Sequence, residues 1–331
     1  MNVVVVTTSY PSPDHPVAGS FVAASVAAAR GAGVDVTVVS PADVRHFGIA
    51  YGGGIAQNLR AAPWKLALVP GFLASFALAA RRAAAGADLV HAHWIPSALA
   101  ARAAGKPYVL QVWGTDVELA RRAPALARPL VRGARLVVAA SGFLADAARE
   151  LGAREVAVVP TPVTIPDEVG PPGEPPHVLF AGRLSEEKGI LEFLAATDGL
   201  RRVIVGDGPL RSRVPEAIGF VPPADLGAYY ERSAVVCVPS RREGYGMVAR
   251  EAMAWGRAVV ATRVGGLADL QEARLVELRD VDALRAAVTE LLGSPEQRAE
   301  LGRLGRVAAT RDFSASAAGG ALLDAYRRAV V

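Results

Sequence analysis

Two glutamates, Glu243 and Glu251, flank a glycine-containing turn near residue 245. Their spacing could bring both carboxylates to one binding site. Seven residues separate Glu243 from Glu251 in the sequence Glu-Gly-Tyr-Gly-Met-Val-Ala-Arg-Glu. An α-helix has about 3.6 residues per turn, so Glu251 would lie about one and a half turns into a helix that begins near Gly246. Both carboxylates could then border one cleft without touching each other and accept hydrogen bonds from hydroxyl groups there.

The segments around this turn predict a place for an anion. Apolar runs at residues 234–238 and 258–261 flank the turn and helix, which indicates strand, turn, helix and strand. The first N–H groups of a helix lack partners within the helix, and the helix dipole is positive at that end. Gly244 and Gly246 keep the turn free of side chains. The pattern therefore favours an anion, such as a phosphate, at the helix start.

Each glutamate alone has an ordinary structural explanation: Glu243 suits the helix dipole, and Glu251 suits a solvated helix position. Together, residues 243–262 resemble the Glu-x7-Glu signature of the retaining glycosyltransferases of family four, which have the GT-B fold. The resemblance implies that Glu243 holds hydroxyls of a donor sugar and Glu251 holds ribose hydroxyls. It also assigns to the donor the residues of the turn and helix start, namely Gly244, Tyr245, Gly246, Met247 and Val248.

A second loop, residues 182–189, carries two cations between a predicted strand and a predicted helix. Arg183 and Lys188 repel each other, and a lysine at a helix start opposes the dipole. A pyrophosphate between them would remove both costs, whereas solvated loop cations are the alternative. The loop resembles the phosphate-binding loop of the same family. The resemblance implies that both residues bind the donor phosphates and take part in catalysis with Glu243.

The first half of the chain holds the residues assigned to the acceptor. His91 and His93 end a predicted strand, and at i and i+2 their side chains point to the same side. A metal is not predicted, because no cysteine or acidic residue stands at ligand spacing. The resemblance implies that both histidines line the cleft, together with Trp113 and Asp116 of Trp-Gly-Thr-Asp. Many relatives have a histidine where this chain has Trp113.

Three further positions are assigned to the donor by resemblance alone. Gly19 precedes a predicted helix at residues 20–30, in a loop that resembles the N-terminal glycine loop of the family. Phe220 and Val221 stand where the family receives the nucleotide base. Gly206-Asp-Gly lacks the third glycine of a dinucleotide fingerprint and is weak evidence by itself.

Two α/β domains are expected to position these residues. The chain has 331 residues, enough for two ordinary cores, and continuous apolar runs such as residues 3–6 are typical of parallel sheets. The predicted fold is GT-B, with two Rossmann-like, doubly wound parallel-sheet domains facing a cleft. We expect an N-terminal acceptor-binding domain at residues 1–165, a proline-rich linker at 166–176, and a C-terminal nucleotide-sugar domain at 177–311. The resemblance implies that a last helix, in residues 312–331, crosses back to the first domain.

Composition narrows the class of partner. Residues 1–168 carry a net charge of +4, and the positive and negative charges of the remaining residues cancel. This excess is too small to indicate nucleic acid, but it would suit an acidic acceptor or an anionic membrane face, with scattered solvated charge as the alternative. The single cysteine, Cys237, cannot form an intrachain disulfide, so a reducing, cytoplasmic location is expected. A peripheral position at the inner face of the membrane stays open.

Two segments of the first half are candidates for a membrane-spanning helix and for a long loop. A helix is predicted at residues 65–85, and its apolar part, 66–80, is interrupted by Pro70 and Gly71 and shorter than the roughly 20 residues of a membrane span. We therefore expect no transmembrane anchor and an apolar side packed in the core. Segment 42–62, with glycines at 52–54, predicts a long loop.

The predicted reaction is transfer of a sugar from a nucleoside-diphosphate sugar to a hydroxyl acceptor, which is a saccharide, a lipid-linked group or a small molecule. The resemblance implies that the anomeric configuration is retained. No metal or other cofactor is expected, because fixed cations stand where Mg²⁺ would otherwise be needed. A non-catalytic or altered-specificity sugar-nucleotide-binding protein, suggested by Trp113, and a sugar-nucleotide epimerase are the alternatives. A nicotinamide dehydrogenase is disfavoured because the turn at residues 7–10 lacks glycine. The base, the sugar, the acceptor and the oligomeric state are not predicted.

Overall fold

The computed structural model describes residues 1–51 and 54–331, and the chain divides into two compact units. The first unit comprises Met1–Pro162 together with Ala315–Val331, and the second comprises Val163–Ser314. Each unit contains one sheet in which all the paired strands are parallel. The predicted fold class, two doubly wound parallel-sheet domains, is confirmed.

The sheet of the first unit has six strands in the order β2-β1-β3-β4-β5-β6. They are β1 (Asn2–Val6), β2 (Asp35–Val39), β3 (Leu89–His93), β4 (Tyr108–Val112), β5 (Leu136–Ala139) and β6 (Val156–Val158). Strands β3, β4 and β5 are buried along their whole length, as expected in a parallel sheet, and the buried residues include the polar His91, His93 and Gln111. The strand order reverses between β1 and β3, and at such a switch point a crevice opens at the carboxyl ends of the strands.

The helices of the first unit come from both ends of the chain. In chain order they are α1 (Ser20–Gly31), α2 (Ile55–Ala61), α3 (Val69–Ala83), α4 (Ala98–Ala103), α5 (Thr115–Arg122), α6 (Pro124–Gly133), α7 (Gly142–Glu150) and the last helix of the chain, α13 (Ala315–Val330). Helix α13 packs against α1 and contributes Leu322 and Tyr326 to the core. A Cβ at Gly319 would lie 2.3 Å from the Ala28 carbonyl oxygen, so this contact needs a glycine.

Helix α3 is the middle of a longer helical stretch. A 3-10 turn at Pro63–Leu68 leads into α3, and a second one follows at Ala84–Gly86. The predicted interruption at Pro70 and Gly71 does not occur, because Pro70 lies in the first turn of α3, where its missing N–H would have no partner anyway. The whole stretch has 24 residues and is long and apolar enough to cross a membrane, with only 17% of its most apolar window buried. The apolar helical stretch is therefore longer than expected, while one side of it, with Phe72, Phe76 and Ala80, is buried as expected.

Segment 42–62 is shorter as a loop than predicted. Gly52 and Gly53 lie outside the described residues, but α2 occupies much of the second half of the segment. The Asn58 side chain donates to the carbonyl oxygens of Ile49 and Tyr51, at 2.9 and 2.8 Å, and so ties α2 to the preceding chain. The sequence pattern did not indicate this helix, since its seven residues are too few for a clear periodicity.

The sheet of the second unit has five strands in the order β11-β10-β9-β7-β8. They are β7 (Val178–Ala181), β8 (Arg202–Val205), β9 (Val235–Val238), β10 (Ala258–Thr262) and β11 (Arg274–Val276). The helices are α8 (Ile190–Ala196), α9 (Gly227–Arg232), α10 (Met247–Ala254), α11 (Val281–Gly293) and α12 (Pro295–Asp312). The switch point lies between β7 and β9. The loops that follow these two strands therefore meet at one edge of the sheet.

The proline-rich segment 166–176 forms no helix or strand and lies along the second unit. The Arg306 guanidinium donates to the carbonyl oxygens of Pro166 and Asp167, at 2.5 and 3.2 Å. The Arg257 guanidinium donates to the Gly170 carbonyl oxygen at 2.5 Å. Arginine side chains thus satisfy carbonyl groups that a sheet or helix would otherwise satisfy.

Candidate active site

The loops after β7 and β9 are joined by an ion pair between two residues predicted to be catalytic. Lys188 Nζ lies 2.7 Å from Glu243 Oε2, and the Ser240 hydroxyl donates to the same oxygen at 3.3 Å. The side chains of Lys188 and Glu243 are 30% and 16% exposed, so solvent reaches both. Glu243 thus supplies the counter-charge for Lys188. The charge of Lys188 is therefore balanced without a phosphate.

A second set of ion pairs holds the same two loops together. The Arg241 guanidinium lies 2.6 Å from Glu192 and 3.0 Å from Glu186. The Arg241 N–H also donates to the Glu187 carbonyl oxygen at 2.8 Å. These contacts fix the β9 loop against the β7 loop, and the sequence analysis did not predict them.

Helix α10 begins at the glycine turn, as predicted. Gly246 caps the helix with a left-handed backbone, φ 86°, and a Cβ there would lie 2.5 Å from Leu267 Cδ2. A residue other than glycine would therefore be strained at this position, both by the left-handed backbone and by the clash of its Cβ with Leu267. The first N–H groups of α10 have no partner within the helix, and α10 begins after the same β9 loop that carries Glu243.

Arg250 holds the glycine turn from within the protein, a role that the sequence did not suggest. Its guanidinium is buried, donates to the carbonyl oxygens of Tyr245 and Gly266, and stacks 3.8 Å from the centroid of the Tyr245 ring. Burial lowers the pKa of Arg250. A mid-helix arginine is usually solvent-exposed, so no pattern in the sequence marks this one as internal.

Glu251 has a partner that lies 21 positions away in the chain. The Tyr230 hydroxyl donates to Glu251 Oε2 at 2.6 Å, and the tyrosine ring is buried. Burial raises the pKa of Glu251, and the hydrogen bond from Tyr230 acts in the opposite direction. Tyr230 thereby orients one carboxylate oxygen and leaves the other for a further donor.

A pocket of about 300 Å³ opens at the carboxyl ends of β7 and β8. Its lining includes four residues assigned to the donor from the sequence: Arg183, Phe220, Val221 and Val248. The walls are mostly apolar, and Arg183 adds a guanidinium that forms no ion pair with any residue the structure describes. Such a pocket has the chemistry for a flat ring with a phosphate attached.

Aromatic rings surround Trp113 at the switch point of the first unit. The Trp113 ring lies 4.5 Å from Phe21 and 5.6 Å from His93, measured between centroids. Trp113 Nε1 and His93 Nδ1 are buried and have no hydrogen-bond partner within residues 1–51 and 54–331. Burial, with a smaller effect of His91, lowers the pKa of His93 well below its usual value, so this ring is neutral at neutral pH.

His91 is as deeply buried as His93 in the last part of β3. It is fully buried, and its Nδ1 lies 2.8 Å from the Tyr326 hydroxyl on α13. Burial lowers its pKa to about 3, so the ring is neutral. His91 therefore links β3 to α13, and its Nε2 has no hydrogen-bond partner among the described residues.

Asp116 is likewise occupied by the protein. Its carboxylate accepts hydrogen bonds from the backbone N–H groups of Trp113, Gly114 and Ile95, at 3.0, 3.1 and 3.1 Å. Burial raises the pKa of Asp116, and these hydrogen bonds oppose that effect. These hydrogen bonds give Asp116 a positioning role, because they fasten the loops that carry Trp94 and Trp113.

Gly19 lies at the start of α1, in the loop after β1. Its backbone is left-handed, φ 60°, and a Cβ would lie 2.2 Å from the Ser9 carbonyl oxygen. Gly19 is the N-cap of α1. The close approach explains the glycine without reference to a ligand.

One Asp-x-Asp pair is present in the sequence, at Asp280 and Asp282, and a structural role accounts for it. Asp280 is the N-cap of α11 and accepts a hydrogen bond from the Ala283 N–H at 2.8 Å. Asp282 lies in the first turn of the same helix, where the dipole favours a carboxylate. This pair is therefore explained as a helix cap.

Comparison with known proteins agrees with this geometry. Residues 18–165 match the model of Glycosyltransferase Family 4, and residues 175–294 match that of Glycosyl transferases group 1. The putative teichuronic acid biosynthesis glycosyltransferase TuaC of Bacillus subtilis is 28% identical over 87% of this chain and 88% of its own length. D-inositol 3-phosphate glycosyltransferase of Segniliparus rotundus is 34% identical over 46% of this chain, but this match spans only 40% of that enzyme.

Solved structures share the fold over the whole chain. Sucrose-phosphate synthase from Thermosynechococcus elongatus superposes with a TM-score of 0.82 at 20% identity, covering 99% of both chains. Anabaena HepE in complex with UDP superposes with a TM-score of 0.74 at 17% identity, covering 99% of this chain and 100% of HepE. At these identities the likeness establishes the fold.

Proposed function

Because this chain is a glycosyltransferase with the GT-B fold, we propose that it transfers a sugar from a nucleoside-diphosphate sugar to a hydroxyl acceptor, retaining the anomeric configuration without a metal ion. The observation that carries the proposal is the pocket of the second unit, where Arg183, Phe220, Val221 and Val248 meet. The loop that supplies Arg183 also supplies Lys188. The complexes of HepE with UDP and with UDP-glucose support a donor of this class.

Catalysis on this proposal comes from stabilising the leaving diphosphate. The bond between the anomeric carbon and the phosphate oxygen breaks, and negative charge collects on the phosphate. Arg183, Lys188 and the free N–H groups at the start of α10 are fixed donors for that charge, so no solvent has to reorganise. Phe220 and Val221 receive the base in the apolar part of the pocket.

The Lys188–Glu243 pair would change partners when a donor binds. The β-phosphate competes with the Glu243 carboxylate for Lys188 Nζ, which is 2.7 Å from Glu243 in the structure. Glu243 then has an oxygen free to accept hydrogen bonds from hydroxyls of the donor sugar. Exposure of both side chains to solvent makes this exchange accessible.

Retention follows if the acceptor attacks from the face that the phosphate leaves. The acceptor oxygen bonds to the anomeric carbon, and its proton passes to the leaving phosphate oxygen, so that atoms and charge balance. The neutral His93 and the Trp113 indole N–H, both lacking a hydrogen-bond partner among the described residues, would contact the acceptor. The anomeric configuration of the product, measured by NMR with an α-linked donor, tests this step; a β-linked product contradicts it.

A thermal-shift screen tests the proposal as a whole. Uridine, guanosine and adenosine diphosphates and their sugars are added to the full chain, and the donor that raises the melting temperature most is then incubated with the protein. We expect slow release of free nucleoside diphosphate even without an acceptor. Binding of a nucleoside diphosphate without any release from its sugar would indicate a sugar-nucleotide-binding protein.

Removal of divalent cations is expected to leave the rate unchanged within about twofold. The reason is that Arg183, Lys188 and the α10 N–H groups already provide the positive charge that Mg²⁺ supplies in metal-dependent transferases. The measurement is donor turnover after dialysis against EDTA, compared with turnover after adding back Mg²⁺ or Mn²⁺. A tenfold loss restored by either ion would contradict the metal-independent reaction.

Glu251→Gln is expected to raise thermal stability while weakening nucleotide binding. The pKa of Glu251 is raised by burial, so the folded state favours its protonated form, and stability from this group is lost as pH rises through the raised pKa. At pH 7.5 the buried, charged carboxylate of Glu251 therefore destabilises the folded state, whereas the neutral side chain of glutamine would not. Each kcal/mol gained adds about 2–4 °C to Tm for a domain of this size.

The same substitution removes a charged acceptor for ribose hydroxyls, so affinity for the nucleotide should fall at least about tenfold. Thermal melts at pH 7.5 and pH 4.5 and calorimetric titration with the nucleoside diphosphate measure the two effects, and the Tm difference should shrink at the lower pH. Glu277→Gln, at an exposed glutamate of the same unit, is the control and should change neither quantity. Unchanged affinity in Glu251→Gln would remove the ribose role.

A further inference from the structure

An unusual stretch of the first unit lies outside the candidate active site. Residues 44–87 contain no aspartate or glutamate, although the chain has 32 acidic residues in all. The same stretch contains five basic residues: Arg45, Arg60, Lys65, Arg81 and Arg82. The basic excess of the first half of the chain is thus concentrated here.

The outward side of the helical stretch 63–86 is apolar, contrary to the usual pattern. Trp64, Leu66 and Leu78 are 67%, 59% and 50% exposed. Between them, Ala67, Gly71 and Ala74 are also exposed, and with Leu78 they follow the i, i+4, i+7, i+11 spacing of one helix face. A surface helix of a water-soluble domain normally carries polar residues on this side.

The inward side of the stretch is fixed to the unit. Phe72, Phe76 and Ala80 are buried, Phe72 packs with Ile49, and α3 packs against α4. Only the outward side is therefore free to contact anything else. A helix held in this way can lie along a membrane surface but cannot cross the bilayer without leaving its core contacts.

Cations stand at both ends of the apolar side. Arg81 and Arg82 are exposed in the last turn of α3, and Arg60 is exposed near the other end. Within the described ranges none of these arginines forms an ion pair. Lys65 Nζ donates to the Gly48 carbonyl oxygen at 2.9 Å and has no acidic partner among the described residues. These groups have unused capacity for anions.

We propose that this surface, made of Trp64, Leu66, Leu78 and the basic residues Arg60, Lys65, Arg81 and Arg82 and called here the 60–82 face, lies on a bilayer that contains anionic lipid. The apolar side chains enter the boundary between headgroups and acyl chains, and the cations meet the headgroup phosphates. Indole is well suited to this boundary, because it has an apolar body and one N–H donor.

A second copy of the chain fits the 60–82 face less well. In a symmetric dimer each patch would meet its own equivalent, and the basic residues would face basic residues. The stretch offers no acidic residue to compensate them. The charge pattern therefore selects an anionic surface.

Vesicle flotation of the full chain tests the proposal. The protein is mixed with vesicles of phosphatidylcholine alone and with vesicles containing 30% phosphatidylglycerol. We expect binding to the second kind, reversed by about 0.5 M NaCl and fully extracted by carbonate, since the surface term is screened by salt. Arg81→Gln/Arg82→Gln should weaken the partition coefficient about 30-fold, from roughly fivefold for each charge removed.

Trp64→Ser/Leu66→Ser should lower binding at least about tenfold through lost apolar contact. The matched controls lie on α6 and just after it in the same unit: Leu126→Ser, at a leucine 77% exposed, and Arg128→Gln/Arg135→Gln, at two exposed arginines. Both controls should bind vesicles like the wild type. All variants should melt like the wild type and show the same thermal shift with nucleoside diphosphate, which keeps this test independent of donor binding.

Four outcomes would overturn the proposal. They are equal binding to neutral and anionic vesicles, unchanged binding of both 60–82 variants, absence of binding to anionic vesicles, and resistance to carbonate, which would indicate a spanning helix. A concentration-dependent dimer in light scattering that disappears in Trp64→Ser/Leu66→Ser, without vesicle binding, would assign the face to a second copy instead.

Discussion

Lys188→Ala should lower turnover of the nucleotide sugar by about 10³-fold and leave the fold intact. Loss of one fixed donor to a developing oxyanion typically costs 10²–10³ in rate, and here the lost group is a full charge beside the leaving phosphate. The ion pair with Glu243 is partly exposed, so its loss should cost at most about 1 kcal/mol of folding free energy. Release of nucleoside diphosphate from the best donor of the screen measures the rate, and far-UV circular dichroism and melting measure the fold.

The chain offers a matched control in Lys106, which lies on the loop before β4 in the other unit. Lys106→Ala should turn over the donor like the wild type. If Lys188→Ala also retained wild-type turnover, its role at the phosphate would be lost. A variant that failed to fold would be replaced by Lys188→Met, which keeps the apolar stem of the side chain.

Glu243→Gln should lower donor turnover by about 10²-fold, and its effect should not add to that of Lys188→Ala. Residues that touch each other in one network have coupled effects, and these two side chains are 2.7 Å apart. The proposed donor complex uses them together, Lys188 at the phosphate and Glu243 at the adjoining sugar. Once one is absent, the sugar phosphate is already misplaced, so the second loss matters less.

The double variant is expected to be within about tenfold of Lys188→Ala, which corresponds to a coupling free energy of at least about 1 kcal/mol. Turnover of the wild type, both single variants and the double variant, measured with one donor, completes the cycle. Glu187→Gln is the control, because Glu187 is exposed on the same loop and pairs with Arg242 at 3.2 Å. Strict multiplication of the two single effects would show that the residues act independently.

The fold class could be predicted because the central strands are recognisable as short apolar runs in the sequence. Residues 3–6, 108–112 and 235–238 are short apolar runs bounded by turn residues, as central strands of parallel sheets are. The loops after β7 and β9 follow directly from those strands. Strand β11, Arg274–Val276, was not predicted, because it begins with an exposed arginine and lacks the continuous apolar run of a central strand.

The side-chain partners within the site were not predictable. Tyr230 reaches Glu251 from 21 positions away, and Lys188 reaches Glu243 from 55. Such contacts depend on how the strands are ordered in the sheet. His91 depends on the same ordering, because its partner Tyr326 on α13 comes from 235 positions away. The burial of Arg250 is also decided by tertiary packing.

The membership of α13 in the first unit affects how the protein is made. On a ribosome the N-terminal sheet emerges first, yet Leu322, Ala325 and Tyr326 of its core follow after the entire second unit has been synthesised. Until then α1 lacks its neighbour, and the Tyr326 partner of His91 is missing. During synthesis the first unit therefore keeps an uncovered apolar surface until α13 has been made. The second unit can fold before that point, which reverses the usual order in which the N-terminal domain folds first.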